Sequence, residues 1–265
     1  MITDRQQRLI DALTPALSND VRIESAWLAG SLGKRSGDMF SDVDVLVVVP
    51  DGKLQPALDG YRANMSSIVD VVRVNLVRGR VLNCITENWE RFDVTFVKPA
   101  EFAVRPFEQM TALFNRGTPE RKAPPLSTYK ASAERILELV NEFIRILGLL
   151  PVAIGREEYV LAEDGVGLLR RMTIDLMIEQ NGIAPSARGG ALHLRRLLTS
   201  GQHALLSALP PVSATRESAL AGHQTLARLF LPLAREMAAQ CAAVWPSEFE
   251  DATRRHLART IGMEI

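Results

Sequence analysis

The chain has 265 residues, 47% of them hydrophobic and 23% charged, close to the averages of folded soluble domains, which excludes a mini-protein, a disordered chain and a membrane-embedded one. Lys plus Arg and Asp plus Glu both number 31, for a formal net charge of zero. Bulk attraction to nucleic acid or an anionic membrane therefore has no basis in composition, and any anion site must be local.

The two cysteines, Cys84 and Cys241, stand far apart and outside any CxxC spacing, which argues against a zinc site or a disulfide framework and predicts two buried thiols in a reducing compartment. No apolar run approaches the roughly 20 residues of a membrane span. The first residues carry helix punctuation in place of a basic stretch and signal core, so the expected location is the cytoplasm.

From Asp4 to Leu17 the apolar positions Leu9, Ile10, Leu13 and Leu17 recur at helical spacing behind a Thr3 or Asp4 cap. Arg22 to Ala29 reads as a short strand, followed by a loop of Gly, Ser and charge from Gly30 to Ser41. The β-branched run Val43 to Val49, stopped by Pro50-Asp51-Gly52, predicts a buried strand. Leu54 to Met65 predicts a helix, Ile68 to Leu76 and Val81 to Thr86 predict strands, and Arg78-Gly79 fits their hairpin turn. From Arg91 to Val97 the pattern alternates, with Phe92, Val94 and Phe96 on one face and Asp93 and Thr95 on the other.

Lys98 to Pro125 is broken by prolines and by Arg116-Gly117, which reads as a crossover with a domain boundary near Pro124 to Thr128. Composition then changes. From Ala131 onward the sequence is rich in Leu, Ala and Arg at helical spacing, and Gly182, Pro185, Gly189-Gly190, Gly201, Pro210-Pro211 and Pro246 divide it into about five helices. The plan is α+β: a small mixed-sheet domain with flanking helices over residues 1–125, then an all-helical bundle over residues 126–265.

The polar loop carries the chemistry. Asp42 and Asp44 lie two apart at a strand start, so they project to one side of the pleat. Adjacent carboxylates repel unless a cation lies between them, and a hard ion such as Mg²⁺ takes oxygen ligands of this kind. Gly30-Ser31 leaves the preceding strand with almost no side chain, which lets backbone N–H groups and the Ser31 hydroxyl approach a phosphate. Asp93 completes a three-carboxylate cluster if its strand neighbours that of Asp44; Glu87 and Glu90 are the alternatives. Two metals so held would position an attacking hydroxyl and stabilise a leaving pyrophosphate.

An apolar residue, Gly-Ser, a spacer of about ten residues, Asp-x-Asp and a later strand acid resembles the nucleotidyltransferase superfamily related to DNA polymerase β. The matching positions here are Leu28 to Ser31, Asp42 and Asp44, and Asp93. The resemblance implies two Mg²⁺ ions on Asp42, Asp44 and Asp93, a nucleoside triphosphate with ATP the expected donor, and Gly30 and Ser31 on its phosphates. Lys34 and Arg35, in the same loop, would neutralise the triphosphate. A small α/β domain followed by a helical domain is similar to the antibiotic nucleotidyltransferases, which implies a small-molecule acceptor such as an aminoglycoside or lincosamide.

Such a transfer needs a base near the acceptor hydroxyl, and Glu163 in Glu163-Asp164-Gly165 is the preferred candidate, with a helix cap or turn as the plain alternative. His203, His223 and His256 read as partly buried or surface residues, while His193 sits in a local basic cluster. Trp27, Trp89 and Trp245 read as core. No nucleic-acid or membrane partner is expected, and a homodimer is left open. The rivals to a small-molecule transferase are transfer to a protein or RNA acceptor and a non-catalytic nucleotide-binding or toxin–antitoxin-type module.

Overall fold

The structure is a computed structural model that describes residues 2–105, 109–118, 129–188 and 194–265. It divides into two compact units, residues 1–126 and 127–265. The expected boundary near Pro124 to Thr128 lies outside the described residues, as does His193.

The first unit opens with α1 (Asp4–Asn19), whose start is fixed by a capping box: the Thr3 side chain accepts from the Gln6 amide and Gln6 reaches back to the Thr3 backbone. Its buried stripe, Leu9, Ile10, Leu13 and Leu17, is the one read from the spacing. Among the described residues six strands follow, β1 (Ser25–Leu28), β2 (Val43–Val48), β3 (Val71–Val77), β4 (Val81–Thr86), β5 (Arg91–Val97) and β6 (Thr111–Asn115), in one sheet of order β3-β4-β5-β2-β1-β6. The connections include the α-helices α2 (Gly30–Gly33), α3 (Leu54–Asn64) and α4 (Pro99–Phe102). β2 and β5 run parallel and every other neighbouring pair is antiparallel. Arg78 and Gly79 make the β3–β4 turn with φ of 50° and 67°, as a tight hairpin with both central residues left-handed requires.

Several expectations are corrected. Gly30 to Gly33 is one turn of helix, because Gly33 and Lys34 donate back to the carbonyls of Ala29 and Gly30. β3 begins at Val71, since Met65–Ser67 forms a 3₁₀ turn after α3. The stretch read as a crossover contains α4 and β6; β6 has no clean alternation, and what makes it a strand is antiparallel pairing with β1 through an irregularity at Ala26/Trp27. Cys241 is half-buried, and Trp89, at the β4–β5 turn, is 75% exposed.

The two faces of the sheet differ. One packs Val43, Val45, Val47, Leu82, Cys84, Phe92, Val94 and Phe96 against α1 and α3 as the main core, and each fully buried aromatic there contributes about 1.5–3 kcal/mol by leaving water. The other face has a small cluster of Trp27, Leu46, Val48, Val97 and Phe102, toward one end of the strands.

The second unit is helical: α5 (Ala133–Gly155), α6 (Tyr159–Gln180), α7 (Leu194–Leu197), α8 (Ser200–Ser207), α9 (Arg216–Gln240) and α10 (Ser247–Ile261). Among the described residues this is one helix more than the punctuation suggested, α7 being a single turn. Phe143 of α5 stacks on Phe230 of α9 at 3.8 Å between ring centroids, inside a core fed by α5, α6, α9 and α10. The α+β plan with a helical second half is thus the observed one. Among the described residues no helix is long and apolar enough to cross a membrane.

Candidate functional site

Strand register decides the site. Parallel pairing of β2 with β5 sets Asp44 directly beside Asp93, and antiparallel pairing of β4 with β5 sets Asn83 on the far side of Asp93. All three alternate away from the core residues Val43, Val45, Phe92, Val94, Leu82 and Cys84. They form a polar row across the face opposite the main core. Asp42, just ahead of β2, projects to the same side two residues away.

Asp42 is held by its loop. Gln6 is buried on α1 and its amide donates to the carbonyls of Asp38 (2.9 Å) and Ser41 (2.8 Å). Asp38 accepts from the Phe40 amide and the Ser41 hydroxyl, both at 3.0 Å. Arg91, at the start of β5, donates to the Phe40 carbonyl at 3.0 Å, so the loop is tied to both the first helix and the strand of Asp93.

Gly30 closes the other side. The Ala29 amide donates to the Asp44 carbonyl at 2.9 Å, which carries the β1–β2 ladder up to the site. The next residue, Gly30, has φ +56°, and a Cβ there would lie 1.8 Å from Asp44 Oδ2 and 3.2 Å from Asp44 Cβ. Glycine is needed both for the left-handed backbone and for the space its missing side chain leaves to the carboxylate. Gly33 is similarly constrained, because a Cβ would meet the carbonyl oxygens of Leu28 at 2.4 Å and Gln109 at 2.9 Å.

The electrostatics are those of crowded negative charge. Burial first, then the charges of Asp42 and Asp93, push the Asp44 carboxyl up to about 7, with Arg91 acting against them. The Asp93 carboxyl is also raised, chiefly by burial, although a 2.7 Å hydrogen bond donated by Asn83 and the charge of Arg91 pull it down. Such a site favours a proton or a cation.

The site thus brings together Asp42, Asp44, Asp93 and Gly30. Ser31 is half-buried in the single turn of α2, while Lys34 and Arg35 are exposed just after it, Arg35 with φ 57°. Glu163 belongs to the helical unit, half-buried on α6 beside a cavity. The cap-or-turn alternative for Glu163-Asp164-Gly165 is corrected, since α6 begins earlier, at Tyr159, and runs through all three. Asn83, Arg91 and Gln6 were not singled out from sequence; the polar Asn83 on an otherwise apolar strand was the visible signal.

Three carboxylates in mutual electrostatic reach are the donor set a hard divalent cation takes. Among the described residues, however, no group of three or more His, Cys, Asp or Glu side chains is arranged to hold a metal ion as it stands.

No protein-family profile and no curated protein matches the sequence. Among solved structures, the chain is similar to an aminoglycoside 6-adenyltransferase from Bacillus subtilis, at 15% identity over 95% of this chain and 97% of that one, with a TM-score of 0.46. It is also similar to a STING-associated CdnE c-di-GMP synthase from Capnocytophaga granulosa, at 11% identity over 90% and 81% of the two chains, with a TM-score of 0.30.

Proposed function

We propose that this chain is a divalent-metal-dependent nucleotidyltransferase, with ATP as donor and a hydroxyl of a small molecule of aminoglycoside or lincosamide type as acceptor. The observation that carries the reading is the β2–β5 register, which sets Asp93 beside Asp44, the second acid of the Asp-x-Asp pair that follows Gly30-Ser31 in the sequence. Asp42, Asp44 and Asp93 would hold Mg²⁺, which supplies charge neutralisation at the reacting phosphate when bound. Gly30 and Ser31 would receive the β- and γ-phosphates, with Lys34 and Arg35 offsetting their charge. In the transfer, the acceptor oxygen forms a bond to the α-phosphorus, the bond to the β-phosphate oxygen breaks, and pyrophosphate leaves. The hydroxyl proton passes to a base, for which Glu163 is the candidate.

The test is pyrophosphate release with Mg²⁺, each of four nucleoside triphosphates and a panel of aminoglycosides and lincosamides, with the Asp42→Asn/Asp44→Asn double variant as control. Acceptor-dependent release that is lost in the control is expected. Nucleotide binding without release for the panel would shift the acceptor to a macromolecule, and binding without release for any acceptor would indicate a non-catalytic module.

A further inference from the structure

The helical unit contains a cavity of about 520 Å³ along α5 and α6. Its walls include Leu149, Val152, Leu161 and Leu168, aliphatic side chains that are 49%, 45%, 60% and 57% exposed. Four large apolar residues left in water around one concavity are unusual for a finished surface. Arg156, Glu158 and Asp164 supply its polar lining.

One buried polar group also lines this cavity. His223, on α9, is 2% exposed. Its Nδ1 lies 2.9 Å from the Ala219 carbonyl oxygen. A carbonyl only accepts, so this contact places the proton on Nδ1 and leaves Nε2 as an unprotonated acceptor. Burial holds the imidazole below its ordinary value, the Ala219 hydrogen bond only partly offsetting it, so the ring is neutral near pH 7. Nε2 has no hydrogen-bond partner among the described residues.

The helix beside it is shaped to this ring. Gly165 lies inside α6, where glycine costs about 1 kcal/mol relative to alanine, and a Cβ there would come within 3.1 Å of His223 Nε2 and 3.4 Å of Cε1. Any larger residue at 165 would press on the acceptor nitrogen.

We infer that this cavity binds a small molecule with an apolar body and one O–H or N–H donor, the body lying against Leu149, Val152, Leu161 and Leu168 and the donor bonding to His223 Nε2. Nε2 is not one of the fully buried atoms left without a partner, so it opens to the cavity, and an apolar body that covers it without supplying a donor leaves it unpaired at a cost, which favours ligands that satisfy it. The inference rests on residues of the helical unit alone and stands or falls apart from the nucleotidyltransferase reading.

The test titrates the full chain with 2-naphthol and with 2-methoxynaphthalene, which has a similar aromatic body and no donor. The expected result is at least tenfold tighter binding of the naphthol, with the His223 Nε2 resonance moving only for that compound. His223→Phe, which keeps an aromatic ring, removes the preference. Leu168→Trp, at an exposed position where the fold is not at risk, blocks both compounds. Equal affinity of the two compounds for the unmodified chain, no binding of either, or a preference that survives His223→Phe would overturn the proposal.

Discussion

Each unit of this chain withdraws carboxylates from water, and the two units do so in opposite ways. In the helical unit Glu179 and Glu250 are 3% and 1% exposed, and each is surrounded by donors. Glu179 accepts from the Tyr129 hydroxyl at 2.6 Å and Arg135 at 3.1 Å and pairs with Arg188 at 2.9 Å. Glu250 accepts from Trp245 at 2.7 Å and Arg254 at 2.6 Å and also pairs with Arg235. Burial raises both carboxyls, yet these bonds outweigh it and leave them below the ordinary value. In the sheet unit Asp44 and Asp93 lie beside each other and near Asp42, and their carboxyls are raised. Satisfied carboxylates stabilise a fold; crowded ones cost stability and mark a place where something else is to bind.

Removing the charge tests this contrast most sharply. Asp44→Asn is expected to lower nucleotidyl transfer by at least about 100-fold, on the scale of losing a group that organises charge at the reacting centre, while the melting temperature in the absence of metal stays level or rises. Adding Mg²⁺ should raise the melting temperature of the unmodified chain and not of this variant, by the linkage of ligand to the folded state. A variant that loses activity only by unfolding would break the comparison.

Glu250→Gln is expected to act the other way, destabilising the helical unit by about 2–3 kcal/mol with little direct effect on chemistry, because charge-assisted bonds from Arg235 and Arg254 are weakened. Urea unfolding followed by hydrogen exchange of α10 amides would measure it. Gly30→Ala should cost about 1–3 kcal/mol through its left-handed backbone, and should impair transfer as well, since the new methyl displaces the Asp44 carboxylate. Unchanged kcat and stability in Gly30→Ala would dissociate the glycine from the site.

The smallest effect is in pH. The Glu179 and Glu250 carboxyls are lowered on folding, so the unfolded chain binds protons more readily than the folded one. Their contribution is fully present above the ordinary carboxylate value of 4.5 and is lost as pH falls through the depressed folded values. Protection of α6 and α10 amides is therefore expected to be flat from pH 7 to about 5 and to fall below about 4. In Glu250→Gln the acid loss at α10 should be reduced.

Much of this was legible along the chain because the signals are local. The stripe Leu9, Ile10, Leu13 and Leu17 has the period of a helix, the run Val43 to Val49 has the bulk of a buried strand, and Phe92, Val94 and Phe96 alternate with Asp93 and Thr95. The pair Asp42 and Asp44 needs only the pleat of a single strand to share a side. The strand of Thr111 to Asn115 was not legible, since its pairing partner is nearly ninety residues away and its own pattern is weak. Glu163 read as a break because three polar or small residues interrupt an apolar stretch; α6 continues through them, and at Gly165 the absence of a side chain makes room for the ring of His223.

By itself the sequence determined the α+β plan with a helical second half and the paired carboxylates, because periodicity and side-chain alternation act over a few residues. The tertiary structure decided that Asp93 stands beside Asp44, that Asn83 and Arg91 flank them, and that Gly30 rests on the Asp44 carboxylate. Register between strands and contact across a turn are set by packing of distant segments against a common core. That information is carried by the whole sheet and by no single stretch of it.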